Sequence, residues 1–163
     1  MLRLATALVF ALGISTVLAA DLPRRKSGLW DIAVLTPGAA TAMTMQQCVD
    51  QKSDDVSATI AGRAKETCQS RTRRDGPKLL FDSTCKVGKS TAVTQGVFTG
   101  DFTSSYSLES TTTIKPPTPG MKDGVTKATA RWSGPCKPGM KPGDVMMSNG
   151  MKFNVNDQKF RGK

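Results

Sequence analysis

The chain has 163 residues, with 23 lysines and arginines against 13 aspartates and glutamates, a formal net charge of +10, and no histidine. The absence of histidine excludes serine–histidine–aspartate hydrolysis and the histidine-bearing metal sites. The sequence also has no glycine-rich phosphate-binding loop. The basic balance favours contact with anionic surfaces but specifies no fold.

Residues 1–20 have the pattern of a secretory signal peptide. A single positive charge, Arg3, precedes an apolar run over residues 4–18, and two small residues follow it. The run is shorter than the roughly 20 apolar residues that span a bilayer. We therefore expect cleavage near residue 20, export to the bacterial periplasm, and a single domain over residues 21–163 with no transmembrane segment.

After this segment, apolar and polar residues alternate with a period of two, which is typical of strands with one buried face. In GLWDIAVL, for example, Trp30 and Ile32 share one face and Asp31 lies on the other. Seven runs are predicted as strands on this basis: GLWDIAVL, TAMTMQQCV, KLLFDSTCKV, STAVTQGVFT, SSYSLESTTTI, TKATARW and MKFNV. Glycine- and proline-rich turns separate most of them, so neighbouring strands are expected to be antiparallel.

One segment, SDDVSATIAG, has the pattern of a short helix. Ser53 is a suitable N-cap, and Asp54 and Asp55 favour the positive end of the helix dipole. Gly62 is a suitable end. The predicted fold class is therefore mainly β: a curved antiparallel sheet or flattened barrel of about seven or eight strands with one short helix and two disulfides.

The chain contains four cysteines, Cys48, Cys68, Cys85 and Cys136, and an exported chain folds in an oxidising compartment. Four cysteines allow three pairings. The favoured pairing joins Cys48 to Cys68 across the predicted helix, and Cys85 to Cys136. The alternative joins Cys68 to Cys85 across a hairpin, and Cys48 to Cys136. Because C-x-x-C motifs and histidine are both absent, neither a redox pair nor a zinc site is expected.

Basic residues occur in clusters, including RTRR and the tandem KPGM-KPGD. The candidate anion-binding residues in these clusters are Arg71, Arg73, Arg74, Lys137 and Lys141. The expected partner is an anionic envelope lipid or an acidic protein. Nucleic acid is not expected, because the chain is predicted to be exported and its few aromatic residues are not interleaved with the basic runs. Solvated surface charge is the alternative interpretation.

Methionines supply a second hypothesis. Thioether sulfurs are natural soft ligands for Cu(I) in an oxidising compartment without histidine. The candidate ligands are Met43, Met45, Met146, Met147 and Met151. Methionine also fills irregular gaps in protein cores, and this packing role is the favoured interpretation, so no metal and no other cofactor is expected.

Carboxylates supply a third hypothesis, an enzyme of unknown class. Asp82, Asp101 and Glu109 lie in the strand region, but no pattern indicates that two of them face each other. They are interpreted as solvated residues on a polar face. The favoured hypothesis is accordingly a non-enzymatic periplasmic domain that binds an anionic or apolar envelope component.

Several motifs in order resemble one family of exported bacterial proteins, the domain of unknown function 3617. These motifs are RKSGLWDI, a cysteine before a short helix, CKVGKS, GVFTGDFTSSYSLE, WSGPCKPGMKPGD and NGMKFNVND. The resemblance covers nearly the whole chain after residue 20. It implies a signal peptide and the same cysteines, and it implies no catalytic residues, since the family has no established activity.

Overall fold

The computed structural model describes residues 23–54 and 68–156. Within these ranges the chain forms nine strands and no helix. The strands are β1 (Gly28–Leu35), β2 (Met43–Val49), β3 (Cys68–Asp75), β4 (Lys78–Val87), β5 (Ser90–Gly100), β6 (Ser105–Lys115), β7 (Gly124–Gly134), β8 (Asp144–Met147) and β9 (Lys152–Asn154). They form one antiparallel sheet in the order β3-β4-β5-β6-β7-β1-β2-β8-β9, and the sheet is not closed. The mainly β prediction is confirmed, in its open-sheet form.

All seven predicted strands are present, and two further strands were missed. β3 has the sequence CQSRTRRD and is exposed along most of its length, so it carries no apolar alternation that predicts a strand. β8 has only four residues, and a proline- and glycine-rich loop precedes it. The predicted helix lies almost entirely outside the described residues, and its first residues, Ser53 and Asp54, are not helical. Residues 1–20 also lie outside the described part.

The register divides the side chains between two faces. The inner face is the one that carries Trp30, which lies beside Gln47 on β2 and Trp132 on β7. It holds most of the buried core, which consists of Trp30, Val49, Leu79, Phe81, Phe98, Phe102, Tyr106 and Ala130. The outer face is the opposite one and carries Asp31, Thr129 and Glu109 among other polar residues. This is the half-buried pattern that the alternation predicts.

Aromatic pairs join the strands across the inner face. The ring centroids of Phe102 and Tyr106 are 5.0 Å apart with the rings nearly parallel, and Trp30 and Phe98 both pack against Tyr106. Such pairs contribute about 0.5–1.5 kcal/mol each beyond the burial of their area. They join β1, β5, β6 and the β5–β6 turn on the inner face.

The two disulfides join Cys48 to Cys136 and Cys68 to Cys85. The favoured pairing was therefore wrong, and the alternative pairing is the one that forms. The strand order explains the error: β2 and β3 are consecutive along the chain, but five other strands lie between them in the sheet, so Cys48 and Cys68 cannot meet. Cys68 and Cys85 are instead direct partners in the β3–β4 ladder. Because β1 pairs with both β2 and β7, the loop after β7 comes close to the end of β2.

Candidate functional site

An apolar cavity of about 440 Å³ lies against the inner face. Seven strands that are consecutive in the sheet contribute to its lining: β5, β6, β7, β1, β2, β8 and β9. The sheet therefore curls around the cavity. The apolar side chains that line it include Ile32, Val34, Phe98, Leu108, Val145 and Phe153. Its volume falls within the roughly 300–1,000 Å³ that is typical of small-molecule pockets.

A small residue, Ala128, contributes to this space. Ala128 on β7 lies between Val34 on β1 and Leu108 on β6, which are its direct neighbours in the two ladders. A methyl group between two larger side chains leaves room above it, whereas a large side chain at this position would fill the cavity. Thr126, two residues earlier on the same face, leaves similar room.

A buried ion pair forms the polar end of the cavity. The Arg25 guanidinium donates to Asp54, with 2.7 Å between Nη2 and Oδ1, and the Arg25 backbone N–H donates to the other carboxylate oxygen at 2.8 Å. The two side chains are 5% and 3% exposed. Arg25 Nη1 also donates to Gln47 Oε1 at 2.9 Å and lies 3.4 Å from the Tyr106 hydroxyl.

The charges of Arg25 and Asp54 balance each other. Burial by itself would lower the pKa of Arg25, but the hydrogen bond to Asp54 and the nearby charges raise it, so the guanidinium stays charged. Burial raises the pKa of the Tyr106 hydroxyl, which is therefore neutral at neutral pH. The cavity thus ends in a paired cation and anion and a neutral hydroxyl, and the described residues that line it offer no free cation to a ligand.

The five basic residues predicted to bind anions do not come together. Arg71 and Arg73 project from the outer face of the edge strand β3, while Arg74 is paired with Leu79 on the inner face. Lys137 and Lys141 lie in the loop between β7 and β8, in the other half of the sheet. None of the five lines the cavity. Arg25, which does line it, was not among the predicted binding residues, because its buried partner is 29 residues away along the chain.

The five methionines are divided between the two faces. Met45 and Met147 are direct partners in the β2–β8 ladder, and Met43 lies on the same face as Met45. Met146 projects from the opposite face, and Met151 is 59% exposed. The arrangement places two thioethers side by side on the inner face rather than five around one point.

The three candidate carboxylates do not converge. Asp82 accepts a hydrogen bond from Gln95, and Glu109 pairs with Lys127 at 3.3 Å; both carboxylates are exposed on the outer face. Asp101 lies in the β5–β6 turn, where hydrogen bonds from Ser104 and from nearby backbone N–H groups hold its pKa well below the usual range. The geometry therefore gives the carboxylate hypothesis no pair of acids that could act on one substrate.

A second and more open depression, of about 840 Å³, lies on the outer face. Its lining mixes polar side chains, including Asp31, Gln46, Thr129 and Arg131, with apolar ones such as Ala33 and Met146. Arg131 was not among the residues that the sequence predicted to bind a ligand.

The family comparison matches residues 25–136 to a model described as "Protein of unknown function (DUF3617)". No curated protein and no solved structure matches the chain. The matched range begins at the arginine of the buried ion pair and ends at the last cysteine, so it includes β1 to β7 and both disulfides. In the part of the chain that the structure describes, there is no helix with the length and apolar character needed to span a membrane.

Proposed function

The chain belongs to the DUF3617 family of proteins of unknown function, and we propose that it is an exported, non-enzymatic protein that binds the acyl chain of an envelope lipid in its inner cavity. The observation that carries the proposal is an apolar space of about 440 Å³ beside a packed aromatic core. Apolar cavities bind apolar ligands because burial removes both surfaces from water.

The cavity chemistry selects an apolar ligand rather than a free anion. An acyl chain gains about 0.8 kcal/mol for each CH₂ group that it buries. Among the lining residues that the structure describes, Arg25 is the one cation, and it is already paired with Asp54. An anionic headgroup is therefore expected to stay outside the cavity, where the excess of basic over acidic residues attracts anionic membrane surfaces.

Two features support export. The four cysteines form two disulfides and none is free, which is typical of proteins in oxidising compartments. The pattern of residues 1–20 agrees with a signal peptide that directs the chain to the periplasm.

The experiment fills the cavity with one side chain. In Ala128→Phe the ring occupies the space between Val34 and Leu108, and affinity for a long-chain lysophospholipid is expected to fall about tenfold or more, measured by displacement of a fluorescent fatty-acid probe. The matched control is Val125→Phe, which adds the same ring on the same strand but on the exposed outer face.

Wild type and Val125→Phe should bind the lipid equally, and near-ultraviolet circular dichroism should show that both variants are folded. Equal binding by wild type and Ala128→Phe would place the lipid elsewhere. Absence of binding by the wild type would end the proposal.

A further inference from the structure

The outer depression has a regular composition that follows from the sheet register. One row of side chains crosses the strands as Gln46, Asp31, Arg131 and Ser105, each paired with the next. The adjacent row crosses as Thr44, Ala33, Thr129, Ser107 and Thr99. We call these two rows the outer groove. Four of the five residues in the second row carry a hydroxyl group, so the groove has a floor of hydroxyls beside a wall of charged and amide groups.

The wall is partly ordered by its own hydrogen bonds. Gln46 Nε2 donates to Asp31 Oδ1 at 2.7 Å, and Lys137 Nζ donates to Gln46 Oε1 at 2.6 Å. These bonds hold the amide and the carboxylate in place. Lys137 lies at the rim of the groove. The wall therefore carries two cations, Arg131 and Lys137, and one anion, Asp31, and has a net positive charge.

Arg131 differs from Asp31 and Gln46 in its hydrogen bonding. Within residues 23–54 and 68–156, its guanidinium makes no hydrogen bond and no ion pair. Its planar group has five N–H donors in a geometry that matches a carboxylate or a phosphate. It projects from the centre of the groove, between Asp31 on β1 and Ser105 on β6.

We propose that the outer groove binds an acidic oligosaccharide, with Arg131 paired to a carboxylate of the sugar chain and the threonine and serine hydroxyls bonded to its hydroxyl groups. Hydroxyls both donate and accept, as sugar hydroxyls do, so the two surfaces are complementary. The groove crosses strands β5 to β2 at about 4.8 Å per strand, which gives a length on the order of 20 Å and accommodates several sugar units. This site lies on the opposite face from the inner cavity and is independent of it.

The test titrates the protein over residues 21–163 with a tetramer of galacturonic acid and with a neutral glucose tetramer. Isothermal titration calorimetry should detect the acidic tetramer and show at least tenfold weaker binding of the neutral one. Arg131→Gln should weaken the acidic tetramer about tenfold or more, because a charge-assisted pair is lost. Thr129→Val, which removes a floor hydroxyl at nearly constant shape, should weaken both tetramers.

The matched control is Lys127→Gln. Lys127 lies on the same strand and the same face, carries the same charge, and does not line the groove. The Lys127→Gln variant should bind the acidic tetramer with the same affinity as the wild type. An equal loss in Lys127→Gln and Arg131→Gln would mean that only the overall charge matters and would overturn the proposal. Failure of the wild type to bind either tetramer, or binding of a polyglutamate peptide in preference to the acidic tetramer, would also overturn it.

Discussion

Gly28 shows how one residue determines the contact between β1 and β7. Its φ angle is +135°, and a Cβ at this position would collide with the Gly134 carbonyl oxygen and the Trp132 indole. The Trp132 indole donates to the Ser27 carbonyl oxygen at 3.1 Å, and Lys26 Nζ lies 3.6 Å from its ring centroid. The motifs GLW and WSG, which carry part of the family resemblance, are therefore adjacent in space and act in packing.

Gly28→Ala is expected to destabilise the fold by about 2–4 kcal/mol, because a methyl group meets both backbone strain and two fixed neighbours. Urea unfolding measures the loss. Gly76→Ala is the matched control, since Gly76 also has a positive φ angle but a Cβ there contacts nothing within 4 Å. Gly76→Ala should cost only about 1 kcal/mol. Equal losses in the two variants would show that crowding at Gly28 is unimportant.

Asp144 contributes pH-dependent stability. Hydrogen bonds from the Lys141 backbone N–H, Lys152 and Asn154 lower the pKa of Asp144 to about 2. The folded-state pKa lies below the unfolded value near 4, so the unfolded chain binds the proton more readily. The stabilisation is therefore present above about pH 4 and is lost as the pH falls towards 2.

Asp144→Asn should consequently unfold with a weaker pH dependence than the wild type between about pH 4 and pH 2, and it should be less stable at neutral pH. Chemical denaturation at a series of pH values provides the comparison. Parallel curves for the two proteins over this interval would show that Asp144 is not the titrating group.

At the scale of elements, the Arg25–Asp54 pair connects two segments that the sheet does not join. Arg25 belongs to the segment before β1, and Asp54 follows the end of β2. Arg24 strengthens the same connection by donating to the Lys52 carbonyl oxygen at 2.9 Å. The pair therefore holds both segments over one end of the inner cavity, beside Gln47 and Tyr106.

Asp54→Asn should destabilise the protein by about 3 kcal/mol or more, because it leaves the Arg25 guanidinium buried without a balancing charge. Glu109→Gln breaks the exposed pair with Lys127, whose side chains are about 60% exposed, and should cost less than about 1 kcal/mol. Thermal and urea unfolding of the two variants provide the comparison. Similar small losses of stability in both variants would show that the buried Arg25–Asp54 pair contributes no more to stability than an exposed pair.

At the scale of the whole molecule, the two disulfides constrain the chain over very different distances. Cys48–Cys136 closes a separation of 88 residues and links the end of β2 to the loop after β7. Cys68–Cys85 closes only 17 residues and lies within one hairpin. In the chain-entropy model these loops correspond to roughly 4.6 and 3.1 kcal/mol of stabilisation.

The double variant Cys48→Ala/Cys136→Ala should therefore be less stable than Cys68→Ala/Cys85→Ala, by about 1.5 kcal/mol. Urea unfolding under non-reducing conditions measures the difference, and peptide mass spectrometry of the wild type confirms the connectivity. The opposite order of stabilities, or a Cys48–Cys68 peptide in the digest, would contradict the assigned pairing.

The sequence determined what depends on local pattern. Period-two alternation is a property of each strand, so β1, β4 and β5 were located nearly residue for residue. The antiparallel class followed from the same runs and their short turns, whereas the sequence left a curved sheet and a flattened barrel as alternatives. β3 was missed because a strand exposed on both faces needs no apolar alternation.

The tertiary structure decided everything that depends on which strands are neighbours. β1 joins β2 to β7, across about 100 residues of chain, and this one adjacency sets the Cys48–Cys136 bond and the two rows of the outer groove. The inner cavity likewise depends on how seven strands curl together around Ala128. Period and composition report which face a residue occupies, whereas contacts between distant strands depend on the packing of the entire sheet, and no local pattern records that packing.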